Sequence, residues 1–135
     1  MLPFSWLDTC VPNSAISLYN YNIFRIDRPT LGGGILFYIS KAISSEIENT
    51  IVTSNLESLH VFSTIRLYIG ISFNCLYCPP RSKIDDFFSE LSHFLNNIDY
   101  NQKNVFVIGD FNIDILKNDN SCKKLLSTMS TYGLA

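Results

Sequence analysis

The chain predicts a layered α+β domain, and three stretches carry that expectation. Residues 105–108, Val-Phe-Val-Ile, are all β-branched or aromatic and stop at Gly109, the composition of a strand covered on both faces. Ile84, Phe87, Phe88, Leu91, Phe94, Leu95 and Ile98 recur at three- and four-residue steps and lay one apolar stripe along a helix over 82–97. Between 59 and 77, Val61, Ile65 and Leu67 share one parity, then Ile69, Ile71, Phe73, Cys75 and Tyr77 share another, so two strands with little between them make a hairpin. Hairpin strands alternating with covering helices give the α+β or layered α/β pattern.

The remaining elements follow in order. Phe4, Trp6 and Leu7 read as a strand end already inside a core, and 8–14 as a loop holding Pro12 and Asn13. Residues 15–18 suit a short helical turn, and 19–28 a loop and strand near the surface. Gly32-Gly33-Gly34 opens a strand over 35–39; no Gly-Lys-Ser/Thr follows and no helix comes next, so the triplet is a tight turn with close backbone approach rather than a phosphate loop. A short strand is expected over 50–54 after a polar segment with Glu46 and Glu48. Pro79-Pro80 stops the strand over 68–77, and Ser82 is placed to cap the following helix, with Asp85 and Asp86 in its favourable first turn. Asn118 to Ser121 offers a second cap, and Cys122, Leu125, Leu126 and Met129 make a final helix that Gly133 can end.

With 135 residues the chain holds one domain's worth of core, and 47% hydrophobic against 16% charged residues excludes a disordered class. The net charge of −2 does not advertise a nucleic-acid binder, so such a role would rest on a local patch or on metal ions. Four cysteines without a secretory segment read as reduced thiols. Cys75 and Cys78 have the spacing of a zinc or redox pair, but no second pair accompanies them and Cys75 lies on the buried parity of its strand. Without a signal peptide or an apolar run of membrane-spanning length, a soluble, intracellular protein is expected.

Chemistry concentrates after Gly109. Asp110 and Asn112 stand two residues apart, so an extended chain would point both to one side of the strand exit. A carboxylate beside a carboxamide can hold a metal-bound water and a phosphate oxygen; the same two residue types also cap turns. Both readings stand on the residues alone. His60 in a strand and His93 beside the helix stripe read as structural or solvent-facing. Glu57 opens the strand that includes Leu59 and Val61, where it supports a site from behind or faces solvent.

Ser5-Trp6-Leu7, Tyr21 with Arg25-Ile26-Asp27-Arg28, the glycine triplet before a strand, Leu76-Tyr77-Cys78-Pro79-Pro80, the 108–114 run Ile-Gly-Asp-Phe-Asn-Ile-Asp, and Tyr132-Gly133-Leu134 follow one another in that order. This series resembles the endonuclease/exonuclease/phosphatase family, most closely the endonuclease domain of non-LTR retrotransposon polyproteins. Its strongest part is Gly-Asp-Phe-Asn with Tyr-Xaa-Pro-Pro upstream. The resemblance implies a DNase I-like four-layer α/β/β/α sandwich, incomplete in this chain, and hydrolysis of phosphodiester or phosphomonoester bonds with Mg²⁺ or Mn²⁺. It matches Asp110 to the aspartate that activates the attacking water, Asn112 to the asparagine at the scissile phosphate and metal, and Tyr77 to the tyrosine that binds that phosphate. Asp110 and Asn112 are thereby the candidate metal ligands. DNA is the implied partner, with Arg28, Arg81 and Lys83, joined by Arg25, as a backbone patch, alongside the other parts of a longer polyprotein. The nucleus is the implied location.

The chain also departs from that pattern. Where the family has its principal glutamate ligand stands Phe4, which has no oxygen to offer Mg²⁺. The family's first strand and its closing Asp-His pair have no counterpart, and Asp114 has no catalytic one. A truncated domain that is inactive alone, with exposed sheet edges prone to pair or aggregate, is therefore expected. A phosphatase of the same superfamily and a non-catalytic or pseudogene-derived domain are the rival readings.

Overall fold

The computed structural model describes residues 9–27, 34–65, 69–101 and 104–134. Their element order is a 3₁₀ turn at Asn13–Ile16, strands β1 (Tyr21–Ile26), β2 (Ile35–Ser40), β3 (Ser44–Val52), β4 (Glu57–Ile65) and β5 (Ile69–Tyr77), helix α1 (Ile84–Asn96), strand β6 (Val105–Asp110) and helix α2 (Asn120–Thr131). β1 and β2 form an antiparallel two-stranded sheet, and the other four strands lie in the order β3-β4-β5-β6. The first two pairings of that sheet are antiparallel; β5 and β6 run parallel, which requires a crossover, and α1 supplies it. The class is α+β, and the expected β4–β5 hairpin is present.

Alternation along β4 and β5 builds two cores from one sheet. Leu59, Val61 and Cys75 point to one face and pack against Ile26, Ile35, Phe37 and Ile39 of the hairpin. From the opposite face Leu76, together with Leu56 just before β4, meets Phe87, Phe88, Leu91, Phe94, Leu95 and Ile98 of the α1 stripe and its C-terminal extension. Each such side chain taken wholly out of water contributes about 1.5–3 kcal/mol. The described residues thus build hairpin, sheet and helix layers. On the hairpin's outer side, Arg25 donates to Val11 O at 2.9 Å and Tyr38 to Ile16 O at 2.6 Å, holding the 3₁₀ turn there.

Four expectations need correction. The strand expected over 50–54 is the nine-residue β3, and Glu46 and Glu48 lie inside it. Its polar sequence concealed it, since it is a largely exposed edge strand with a register shift between Ile47 and Asn49, and charges and bulges are how sheet edges are kept from pairing. β6 is not covered on both faces: it pairs with β5 alone among the described strands, and Phe106 is 48% exposed, stacked on Phe73. Ser82 does not cap α1. Lys83 holds the N-cap position without a side-chain bond, while the Ser82 hydroxyl lies 3.4 Å from Ser54 O and 3.3 Å from Asn55 O. Leu126, expected in the α2 stripe, is exposed.

α2 otherwise forms as its sequence indicates. Asp119 caps it by accepting from Cys122 N at 2.9 Å, and Gly133, at φ 68°, ends it with Leu134 N returning to Met129 O. Tyr132 ties α2 to α1 by donating to Ser92 O and Asn96 Oδ1. The Phe4, Trp6, Arg28, Gly32 and Gly33 positions lie outside the described residues.

Candidate active site

The end of the four-stranded sheet where β5 and β6 terminate carries one polar row. Glu57 is the register partner of Tyr77, and Tyr77 of Asp110, so the three side chains stand side by side across β4, β5 and β6 on the face toward the hairpin. Glu57 is 0% exposed, which settles the choice between burial and a surface position in favour of burial. Its parity with Leu59 and Val61 was the sequence signal for this. The Gly34 N–H, at the start of β2, donates to Glu57 Oε2 at 3.2 Å. Gly34 lies at φ 104°, a conformation open to glycine, so the last member of the triplet brings bare backbone onto the carboxylate as expected.

Each residue of Gly-Asp-Phe-Asn has a physical reason. A Cβ on Gly109 would stand 2.3 Å from Leu76 O, so only glycine lets β6 lie this close to β5. Asp110 closes the strand, its carbonyl accepting from Cys78 N at 2.9 Å. Phe111 turns to the helix layer, its ring centroid 6.3 Å from that of Phe87. Asn112 adopts φ 48°, so the chain does not stay extended past Asp110. Instead the Asp110 carboxylate accepts from Asn112 N at 2.9 Å, and the Asn112 amide donates to Cys78 O at 2.6 Å. The Asp110–Asn112 pair is therefore a turn that fastens the ends of β5 and β6 together. The turn does not displace Asp110 from its place in the row beside Tyr77.

The surroundings set the chemistry. Asp110 also borders a groove of about 600 Å³ between the β6 exit and α2, lined by apolar side chains such as Phe111, Ile113, Leu125 and Met129. Cys75 and Cys78 are both buried but lie in different cores, on opposite sides of the sheet, as an i,i+3 spacing in extended chain requires. Burial pushes the Cys75 thiol up to about 12, and burial, with Asp110 and Glu90 adding to it against a Ser82 hydrogen bond, raises that of Cys78. Neither is a thiolate at neutral pH, and the pair cannot grip one ion.

Basic residues gather only in part. Arg81 and Lys83 are exposed on the segment after Pro79-Pro80, beyond the Tyr77 end of β5. Arg25 is engaged elsewhere, paired with Asp27 and bonded to Asn13 Oδ1 at 3.1 Å. His60 and His93 face away from this row, on the α1 side of the sheet.

Asp110, Asn112 and Glu57 offer the hard oxygen atoms Mg²⁺ or Mn²⁺ prefer. Two strand spacings, about 10 Å, separate the Glu57 and Asp110 backbones. Among the described residues no three of His, Cys, Asp and Glu form a group able to hold a metal.

No protein-family model matches the sequence, and no curated protein does. Among solved structures, the chain is similar to the endonuclease domain of TRAS1, a telomere-specific non-LTR retrotransposon, with a TM-score of 0.64 and 14% identity over 86% of this chain and 54% of that one. The chain spans about half the length of that structure. At this identity the likeness speaks to architecture, and the architecture is DNase I-like.

Proposed function

We propose that the Glu57–Tyr77–Asp110 end of the sheet is the centre of a phosphodiester-hydrolysing site of the DNA-nicking kind, and that this chain alone cleaves DNA poorly or not at all. The observation that carries the reading is the register row itself, a buried carboxylate, a phenol and a strand-end carboxylate aligned across three strands. Hydrolysis of a phosphodiester needs a carboxylate to take a proton from water and hydrogen-bond donors for the charge that builds on the phosphoryl oxygens. In this reading Asp110 takes the proton and the Tyr77 hydroxyl donates to the phosphate. Asn112 keeps Asp110 and Cys78 in place through its two backbone ties, its remaining amide N–H facing the phosphate. Arg81 and Lys83, with Arg28, would meet the DNA backbone. The likeness of the fold to a retrotransposon endonuclease domain supports a nuclease-like function, and DNA as the substrate class and a nuclear location are proposed with it.

Phe4 in place of a glutamate ligand supports low activity and makes a non-catalytic DNA-binding role the second reading. Two measurements test the proposal. Titration of a short DNA duplex, followed by NMR, should shift resonances at Tyr77, Asp110 and Asn112, and Tyr77→Phe should weaken the effect. Shifts confined to any other surface would overturn the site. In a plasmid-nicking assay with MgCl₂ no cleavage above background is expected; nicking that Asp110→Ala abolishes would refute the inactivity and leave the site standing.

No helix among the described residues is long and apolar enough to cross a membrane.

A further inference from the structure

A second polar row crosses the same sheet on its other face. Asn49 is the register partner of His60, and His60 of Asn74. With His93, Asn97 and the apolar Phe94 of α1 above them, they line a cleft of about 120 Å³. Its rim residues Asn49, His93 and Asn97 are exposed, and its floor residue Asn74 is 0% exposed.

The floor has an unanswered acceptor. The Asn74 amide nitrogen donates to Ser72 Oγ at 2.9 Å and to Phe106 O at 3.3 Å. Only the nitrogen end of an amide can face a backbone carbonyl, so the orientation is fixed. The carbonyl oxygen Oδ1 is then left buried with no partner, a state native proteins rarely leave without a water or a ligand.

The surroundings select what would answer it. His60 Nε2 lies 2.8 Å from Ser72 Oγ and 3.1 Å from Glu48 Oε2, so a carboxylate stands at the edge of the cleft. Among the described residues no Lys or Arg lines the cleft, which disfavours an anion. The described residues hold no metal-binding group, which disfavours a divalent ion. Ile51, Phe94 and Ile98 supply apolar wall for a short methylene chain. A cationic hydrogen-bond donor on an alkyl stem satisfies all of these.

We propose that this cleft binds a primary alkylammonium group, brought either by a lysine side chain of a partner protein or by a free polyamine. The ammonium sits between Asn74 Oδ1 and the Glu48 carboxylate, its stem against Phe94 and Ile98. The charged and titratable groups facing it are Glu48 from β3, His60 from β4 and His93 from α1. Burial lowers the His60 pKa against the opposing pull of Glu48, so the imidazole is neutral at pH 7 and does not repel the ligand. As pH falls through the lowered His60 value, protonation of that imidazole should weaken binding.

The test is an NMR titration of the full chain with n-butylammonium chloride, against tetramethylammonium chloride at equal ionic strength. The primary amine should give saturable shifts at Asn49, His60, Asn74 and His93, while the quaternary ion, with no N–H to donate, should bind about tenfold more weakly. Glu48→Gln, an exposed-edge change, should weaken butylammonium binding by about tenfold as well. Asn74→Leu should abolish it, and Glu48→Gln keeps the test decisive if that variant does not fold. Equal shifts with both salts, shifts away from the cleft, or wild-type binding by Glu48→Gln would overturn the proposal and leave the cleft to water. If butylammonium binds, Nα-acetyl-lysine amide and spermidine are compared next, and the one that saturates at lower concentration identifies the source.

Discussion

Glu57, Tyr77 and Asp110 cross the four-stranded sheet facing the hairpin, while Asn49, His60 and Asn74 cross it three residues away facing α1. The first row is fastened by backbone. Gly34 N–H holds Glu57, and the Asp110 and Asn112 ties to Cys78 hold the strand ends. The second row is held by a chain of side chains, from Glu48 through His60 and Ser72 to Asn74, and leaves one acceptor unpaired. Backbone groups are placed by the fold itself and do not titrate. The contrast therefore separates a preorganised row, suited to chemistry, from an adaptable row that responds to pH and to ligands.

The largest effect should come from breaking the first row's spacing. Gly109→Ala puts a methyl group where Leu76 O already is, and neither backbone can move without separating β5 from β6. A loss of about 3 kcal/mol or more in urea unfolding is expected, with the Tyr77–Asp110 register lost in whatever remains folded. If the variant unfolds at the wild-type midpoint, the close packing of the two strands is wrong.

Next in size is Glu57→Ala. It strands the Gly34 N–H and empties a fully buried site, a cost of about 1–3 kcal/mol. Glu57→Gln keeps the acceptor and should recover most of it. Identical losses for the two variants would show that volume rather than the hydrogen bond holds β2 against the row.

The second row should reveal itself through pH. Burial lowers the His60 pKa from 6.5, so the unfolded chain binds this proton more tightly than the folded one. Stability contributed here is full above the unfolded value and is lost as pH falls below it toward the lowered folded value. The thermal midpoint should drop over that interval in the wild type and drop less in His60→Gln. A wild-type slope that His60→Gln leaves unchanged would assign the acid sensitivity to other groups.

How much of this was legible varies with how far a residue depends on its neighbours. The α1 stripe and the β4–β5 hairpin were readable because their apolar periods run longer than one turn or one strand pair. β3 was not, because Ser44 to Val52 sits at an edge and shows solvent the residues a loop would show. The burial of β6 was overestimated, since a run such as Val105 to Ile108 reports preference for cover and not whether a neighbour supplies it. Tyr77, Asp110 and Asn112 could be named from motif order, but their juxtaposition with Glu57 needed the register, a non-local property. The orphaned oxygen of Asn74 had no sequence signal.

Ser82 gives the smallest effect and tests how the first row is anchored at its β4 end. In sequence it has the look of a helix cap, yet its hydroxyl reaches back to the Ser54 and Asn55 carbonyls at the turn that leads into Glu57. Asp119 does cap α2, through Cys122 N. Asp119→Ala should therefore cost about 1 kcal/mol, as true caps do, and Ser82→Ala only a few tenths, because its bonds are long and partly exposed. The small loss should also appear in a different place. Hydrogen exchange should quicken at residues 53–57 in Ser82→Ala and leave the first turn of α1 unchanged. Faster exchange in that turn would restore Ser82 as a cap, and the Glu57 end of the row would then be anchored by the Gly34 N–H without help from α1.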